Sequence, residues 1–146
     1  MVEIRTAHIE DFKFLSKIFS LNVPKYFDDK ELDDFKKYFI KNVNTYSIII
    51  LNNKIIGGAG YVMESESTGR ITWSFIHPNF QRQGFGKKIV VHCMNSLKDF
   101  KSLKKIEVNT SNLAFKFYRA LGFESEYIKK NYWSQGIDLY FMTLKI

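Results

Sequence analysis

Two kinds of apolar pattern alternate along the chain. Val2–Thr6 reads as a short strand, and Ile9, Phe12, Leu15 and Phe19 then fall at helical spacing until Pro24 closes the region. Asp28 and Asp29 suit a helix start, and Leu32, Phe35 and Phe39 make the i, i+3, i+7 stripe of a second helix ending near Asn42. Tyr46–Leu51 is a dense apolar run of strand length, Asn52-Asn53 a tight turn, and residues 54–62 the returning arm of a hairpin. Gly57, Gly58 and Gly60 interrupt that arm and predict a bulge or a close backbone approach. A polar loop over residues 64–69 leads to residues 70–76, where Ile71, Thr72, Trp73, Phe75 and Ile76 predict a buried strand that Pro78 ends.

The second half repeats the alternation. Ile89, Val90, Cys93, Met94 and Leu97 line one face of a third helix. Residues 104–109 (KKIEVN) read as a strand, Thr110-Ser111-Asn112 as a polar helix start, and Ala114, Phe117, Tyr118 and Leu121 as a helical stripe closed by Gly122. Residues 124–130 and 136–146 read as two further strands, with Leu139, Phe141 and Leu144 in the last.

Size and composition narrow the class. A chain of 146 residues, 45% apolar and 25% charged, reads as one soluble globular domain over residues 1–146. The formal charge of +7 would suit nucleic acid, an anionic membrane or a phosphate-rich ligand. Its lysines and arginines are scattered, however, with no basic-aromatic array or helix-turn-helix signature, which argues for one local anion site and no nucleic-acid partner. No apolar run is long enough to span a membrane, and Met1-Val2-Glu3 lacks the basic start of a secretion signal, so a cytoplasmic location is expected. Cys93 is the single cysteine and reads as a small buried hydrophobe, a reactive thiol being the other reading. No Cys/His spacing suggests a metal.

The anion site is placed by residues 81–88, between the strand and the third helix. Backbone N–H groups at a helix start lack partners, the helix dipole is positive there, and glycine lets a ligand approach. Arg82, Lys87 and Lys88 add charge, which suits a phosphate or pyrophosphate. Three readings compete. The dinucleotide G-x-G-x-x-G fits Gly84 and Gly86 but meets Ile89 at its third glycine. The P-loop fits Gly86-Lys87 but meets Gln81 at its first glycine and Lys88 at its Ser/Thr. The pattern [QR]-x-x-G-x-[GA] fits Gln81-Arg82-Gln83-Gly84-Phe85-Gly86 at every fixed position.

At these residues the chain resembles the GCN5-related N-acetyltransferase (GNAT) family, whose loop of this form holds the pyrophosphate of coenzyme A. A second motif follows in the right order: Ala114, Phe117, Tyr118, Gly122 and Phe123 match the A-x-x-[FL]-Y-x-x-x-G-F ending. A third, looser match is the closing-strand pattern at Gly136, Ile137 and Met142. The resemblance covers nearly the whole chain. It implies an α/β (α+β) fold with a mixed, mostly antiparallel central sheet of about six to seven strands, flanked by about four helices.

It also implies acyl transfer from acetyl-CoA to an amine, with no metal. Residues 81–87 would seat the pyrophosphate, and Phe75 and Ile76 would bind the pantetheine arm through backbone, with the Ile76 N–H polarising the acetyl carbonyl. Tyr118 would be the general acid; a phenol with a pKa near ~10 is protonated at neutral pH. Asn109, Ser111 and Asn112 would stand at the mouth to bond the pantetheine amides, Asn109 first among them, although Ser111 could equally cap the helix. The first two helices would flank the acceptor, where Glu31, Asp33 and Asp34 either bind a cationic amine or merely satisfy a helix start. The general base is unassigned: Thr72 stands where many relatives carry an acid. A water held by Thr72 and Ser74, another group such as Glu107, His77 or a terminal-strand residue, or an amine that arrives neutral would each serve. An acyl-CoA-binding regulatory module with little turnover is the competing function, and the oligomeric state, monomer or homodimer, is open.

Overall fold

The computed structural model describes residues 1–146. Seven strands form one sheet in the order β1-β2-β3-β4-β5-β7-β6. They are β1 (Val2–Thr6), β2 (Tyr46–Leu51), β3 (Lys54–Met63), β4 (Thr68–Ile76), β5 (Lys105–Ser111), β6 (Glu124–Ser134) and β7 (Ile137–Lys145). Only β4 and β5 run parallel. The helices are α1 (Phe12–Leu21), α2 (Glu31–Lys41), α3 (Phe85–Lys98) and α4 (Phe115–Ala120). The mixed, mostly antiparallel sheet with four helices is the architecture expected from the sequence.

Alternation along the strands makes two cores. On one face Ile49, Ile56, Ile71 and Ile106 pack with α3 residues Ile89, Val90, Cys93 and Leu97. On the other, Tyr46, Ile48 and Phe75 pack with Leu15, Ile18 and Phe19 of α1 and Phe35 and Phe39 of α2. The hairpin turn is built by Asn52 (φ 49°) and Asn53 (φ 68°), since asparagine tolerates the left-handed region.

Several boundaries differ from the sequence reading. β4 begins at Thr68, two residues early, because Thr68 and Gly69 already pair with β5. α3 begins at Phe85, so the glycine loop is its first turn. Ser111 ends β5, still paired with Leu139, and α4 starts only at Phe115. α2 begins at Glu31, whose carboxylate accepts the Asp28 N–H (3.1 Å) and so caps the turn ahead of it. β6 runs on to Ser134 along the sheet edge.

The feature that opens the sheet is a bulge in β4. Gly58 pairs with Phe75 and Gly60 with Thr72, so Ala59 alone opposes Trp73 and Ser74. Trp73 takes φ +44°, rare for a bulky residue. The glycines supply the room: a Cβ on Gly58 would lie 2.5 Å from the Tyr46 ring, and one on Gly60 2.7 Å from it. That ring fills the space, and its hydroxyl donates to the Trp73 carbonyl (2.7 Å).

Beyond the bulge β4 leaves β5. Their pairing stops at Ile71 and Val108, while β5 continues to Ser111 against β7. The end of β4 and the end of β5 therefore form the two sides of a wedge.

Candidate active site

A cleft of about 960 Å³ occupies this wedge. Its walls are β4 beyond Arg70, the last residues of β5, the start of α3, one side of α4, and α2 with the segment before it.

The anion seat lies at one end. Pro78 to Phe80 make a 3₁₀ turn, Arg82 takes φ +62°, and Gly84 takes φ +90° at the cap of α3. The first helical bond is from Lys88 N–H to Gly84 carbonyl (3.1 Å). The N–H groups of residues 82 to 87 have no partner within the protein. Gly84, Gly86, Arg82 and Lys87 line the cleft. A run of free amides with the helix dipole and two cations suits a diphosphate. Gln83 and Phe85 do not line it: the Gln83 side chain donates to Asn79 carbonyl (3.2 Å), and Phe85 packs on the α3 core. Gln81 faces the cleft but its amide donates to Ile76 carbonyl (2.8 Å) and to Asn22 Oδ1 (2.8 Å).

Asn22, 2% exposed, completes a clamp. Its own amide donates to Ile18 carbonyl (3.0 Å) and to Ile76 carbonyl (3.2 Å). The end of α1, the end of β4 and the loop are thus tied at one carbonyl. No periodicity marked Asn22, which lies just past the apolar stripe of α1.

The end of β4 presents two kinds of backbone. His77 N–H donates to Ile56 carbonyl (2.7 Å), so ladder alternation turns the Ile76 N–H away from β3, toward the open edge. Phase places Phe75 backbone toward β3 instead; its ring sits in the α1–α2 core and lines the cleft from that side.

Tyr118 of α4 reaches the cleft from the opposite wall and is 5% exposed. Burial pushes its phenol well above the ordinary tyrosine value; the Ser74 hydroxyl beside it pulls weakly the other way. Asn109 and Ser111 line the mouth, and Ser111 Oγ accepts the Leu113 N–H (3.2 Å), capping the turn into α4. Asn112 is committed elsewhere, donating to Gly136 carbonyl (3.3 Å) and accepting the Asp138 N–H (2.9 Å).

The bulge changes what Thr72 and Ser74 can do together. Simple alternation would put both on one face. Instead Thr72 faces α2, 2.5 Å from the Tyr38 hydroxyl, while Ser74 faces Tyr118. Tyr38 continues the α2 stripe at Phe35 plus three, so the sequence carried a signal for it. Glu107 forms an ion pair with Arg70 (2.6 Å), which also meets Glu64 (3.1 Å). His77 Nδ1 accepts the Asn79 N–H (3.0 Å) as a turn residue. Of the acids at the start of α2, Glu31 lines the cleft, and Asp33 and Asp34 do not. No cluster of His, Cys, Asp and Glu is placed to hold a metal ion, and no helix is long and apolar enough to cross a membrane.

Comparison with known proteins covers most of the chain. Residues 21–146 match the family model described as an acetyltransferase (GNAT) domain. An N-alpha-acetyltransferase of Sulfurisphaera tokodaii is 24% identical over 151 residues, covering 96% of this chain and 90% of that one. Ard1 from Thermoplasma volcanium superposes with a TM-score of 0.81 at 16% identity, over 99% of this chain and 97% of that one. yncA from Salmonella typhimurium, solved with its cofactor acetyl-CoA, superposes with a TM-score of 0.79 at 16% identity, over 99% and 94%.

Proposed function

The chain belongs to the GNAT acetyltransferase family, and we propose that it moves an acetyl group from acetyl-CoA directly to a primary amine. One observation carries the reading: Arg82, Gly84, Gly86 and Lys87 with their free amides, the outward-facing Ile76 N–H and the Tyr118 phenol all border a single cleft. Donor and acceptor can then meet there without a covalent enzyme intermediate.

The residues fit an acyl-CoA. The amides of residues 82–87, with Arg82 and Lys87, hold the pyrophosphate. Gln81 does so indirectly, by fixing the loop to the end of β4, while Gln83 and Phe85 stand outside the cleft wall. Asn109 and Ser111 stand where the pantetheine amides pass, and the Phe75 ring closes the wall opposite. Bound there, acetyl-CoA supplies a thioester carbonyl open to attack. Ile76 N–H donates to the carbonyl oxygen as negative charge grows on it. Tyr118 gives its proton to the departing sulfur as the C–S bond breaks and the N–C bond forms. Its raised pKa keeps that proton in place at neutral pH. One proton leaves the amine nitrogen for water, since Thr72 has no basic group to receive it, and a proton from water restores the Tyr118 phenol.

Release of free thiol from acetyl-CoA, followed with a panel of primary amines and peptides, tests the reading. Amine-dependent release is the expected result. Binding of acetyl-CoA with no release across the panel would support the regulatory module instead.

A further inference from the structure

The acceptor end of the cleft has a chemistry of its own. Phe27, Trp73 and Tyr38 line it, with Trp73 in the middle: its ring centroid is 6.0 Å from Phe27 and 6.5 Å from Tyr38. The β4 bulge puts Trp73 there, on the α1–α2 face beside Thr72. Glu31 lines the same cleft, and its carboxylate meets the peptide that joins Phe27 to Asp28. It is half-buried, and one carboxylate oxygen accepts the Asp28 N–H. No lysine, arginine or histidine pairs with it; the four ion pairs of the protein lie elsewhere.

The cations that border the cleft are placed away from Glu31 or already engaged. Arg70 is taken by Glu64 and Glu107. Arg82 and Lys87 belong to the anion seat. Lys41 is ten residues further along α2, about 15 Å of helix away. Burial raises the pKa of Glu31, and the acids Asp28 and Asp34 beside it push the same way.

An unpaired carboxylate on an aromatic wall is a receptor for a cation. The cation it binds is not the reacting one. A carboxylate holding the reacting nitrogen would favour the ammonium form, which cannot attack a carbonyl. Trp73 also lies three residues before Ile76, at the bulge, so the recess is set off from the acetyl group.

We infer that the acceptor is a short aliphatic diamine, its second ammonium held by Glu31 against the Phe27, Trp73 and Tyr38 rings while the other nitrogen is acetylated. The inference rests on the acetyl-transfer reading above.

The test compares α,ω-diamines of four and five carbons with monoamines of the same length, and with an uncharged peptide bearing an N-terminal alanine. Thiol release is measured for the wild type and Glu31→Gln, alongside direct binding of acetyl-CoA. Glutamine keeps a carbonyl for the Asp28 N–H. In the wild type kcat/KM for diamine exceeds that for monoamine by about tenfold or more, and in E31Q the ratio falls to about one. Should E31Q fail to fold, the wild type still decides: its diamine preference shrinks as salt rises. Equal rates for diamine and monoamine, a preference that persists in E31Q, or faster turnover of the peptide would overturn the inference and leave acetyl transfer standing. Binding of acetyl-CoA with no amine acetylated would remove both.

Discussion

On one side of the cleft, residues 82–87 present amides from a loop whose shape depends on Arg82 at φ +62° and Gly84 at φ +90°. On the other side, the acceptor end rests on a cluster of rings: Phe35 alone has six aromatic neighbours with centroids 5.3 to 5.9 Å away. The first surface is made of main chain and the second of side chains. A main-chain surface demands particular residues at particular spacings, because only some residues permit the backbone to turn that way. A side-chain surface needs only shape and volume, which many combinations satisfy. The donor side of an enzyme of this kind therefore leaves a motif, and the acceptor side does not.

The largest expected effect is on chemistry at the junction of the two sides. Tyr118→Phe removes only the hydroxyl, so folding and acetyl-CoA affinity hold while kcat drops about 10²- to 10⁴-fold, the usual contribution of a placed general acid. Steady-state thiol release and a separate binding titration check it. Unchanged kcat would remove Tyr118 from the chemistry.

Next comes a break in the ring cluster. Phe35 is fully buried, and Phe35→Ala leaves a void that its neighbours cannot close without shifting. The expected loss is about 3–5 kcal/mol in urea unfolding. At native conditions, acetyl-CoA affinity of the folded fraction should change little, since no residue of the anion seat touches Phe35. A large loss of acetyl-CoA affinity would show that the two sides are not separable, with the Asn22 clamp as the obvious connection.

Smaller still is a contrast within the glycine loop. A Cβ at Gly84 meets nothing within 4 Å, so Gly84→Ala is opposed only by its left-handed backbone, about 1–2 kcal/mol. Stability should fall by that amount, and acetyl-CoA affinity with it, as the amides rotate. At Gly86 a Cβ would make ordinary contacts, 3.7 Å to Ile76 and 3.8 Å to Phe117. Gly86→Ala should therefore leave stability unchanged or raise it by up to about 1 kcal/mol, alanine being the better helix former.

What the sequence disclosed follows the same division. Residues 81–86 and the α4 ending could be read because backbone geometry restricts them, and strand and helix order followed from apolar period. The β4 bulge was visible only as three glycines in the partner strand. Its consequences, Trp73 turned onto the α1–α2 face and Thr72 parted from Ser74, depend on the Tyr46 ring filling the space over Gly58 and Gly60, a contact between distant residues. Asn22 and the Arg70–Glu107 pair were hidden for the same reason. Each is polar, each is explained by a partner more than thirty residues away, and no local pattern connects them.

The finest distinction between the two sides can be drawn at Cys93. It lies on the buried face of α3, and burial pushes its thiol up to about 12. In the unfolded chain the thiol has its ordinary value, about 8.5. Between those values the unfolded state sheds a proton that the folded state keeps. The contribution to stability is thus complete below about pH 8.5 and is lost as pH rises toward the folded value, by up to about 1.4 kcal/mol per pH unit. From pH 8.5 to 9.5, below the ordinary range of tyrosine, wild-type stability should fall by about 1 kcal/mol more than that of Cys93→Ala, measured by urea unfolding under reductant. Parallel curves for the two proteins would mean that the thiol titrates in the folded state, and hence that water reaches the α3 core.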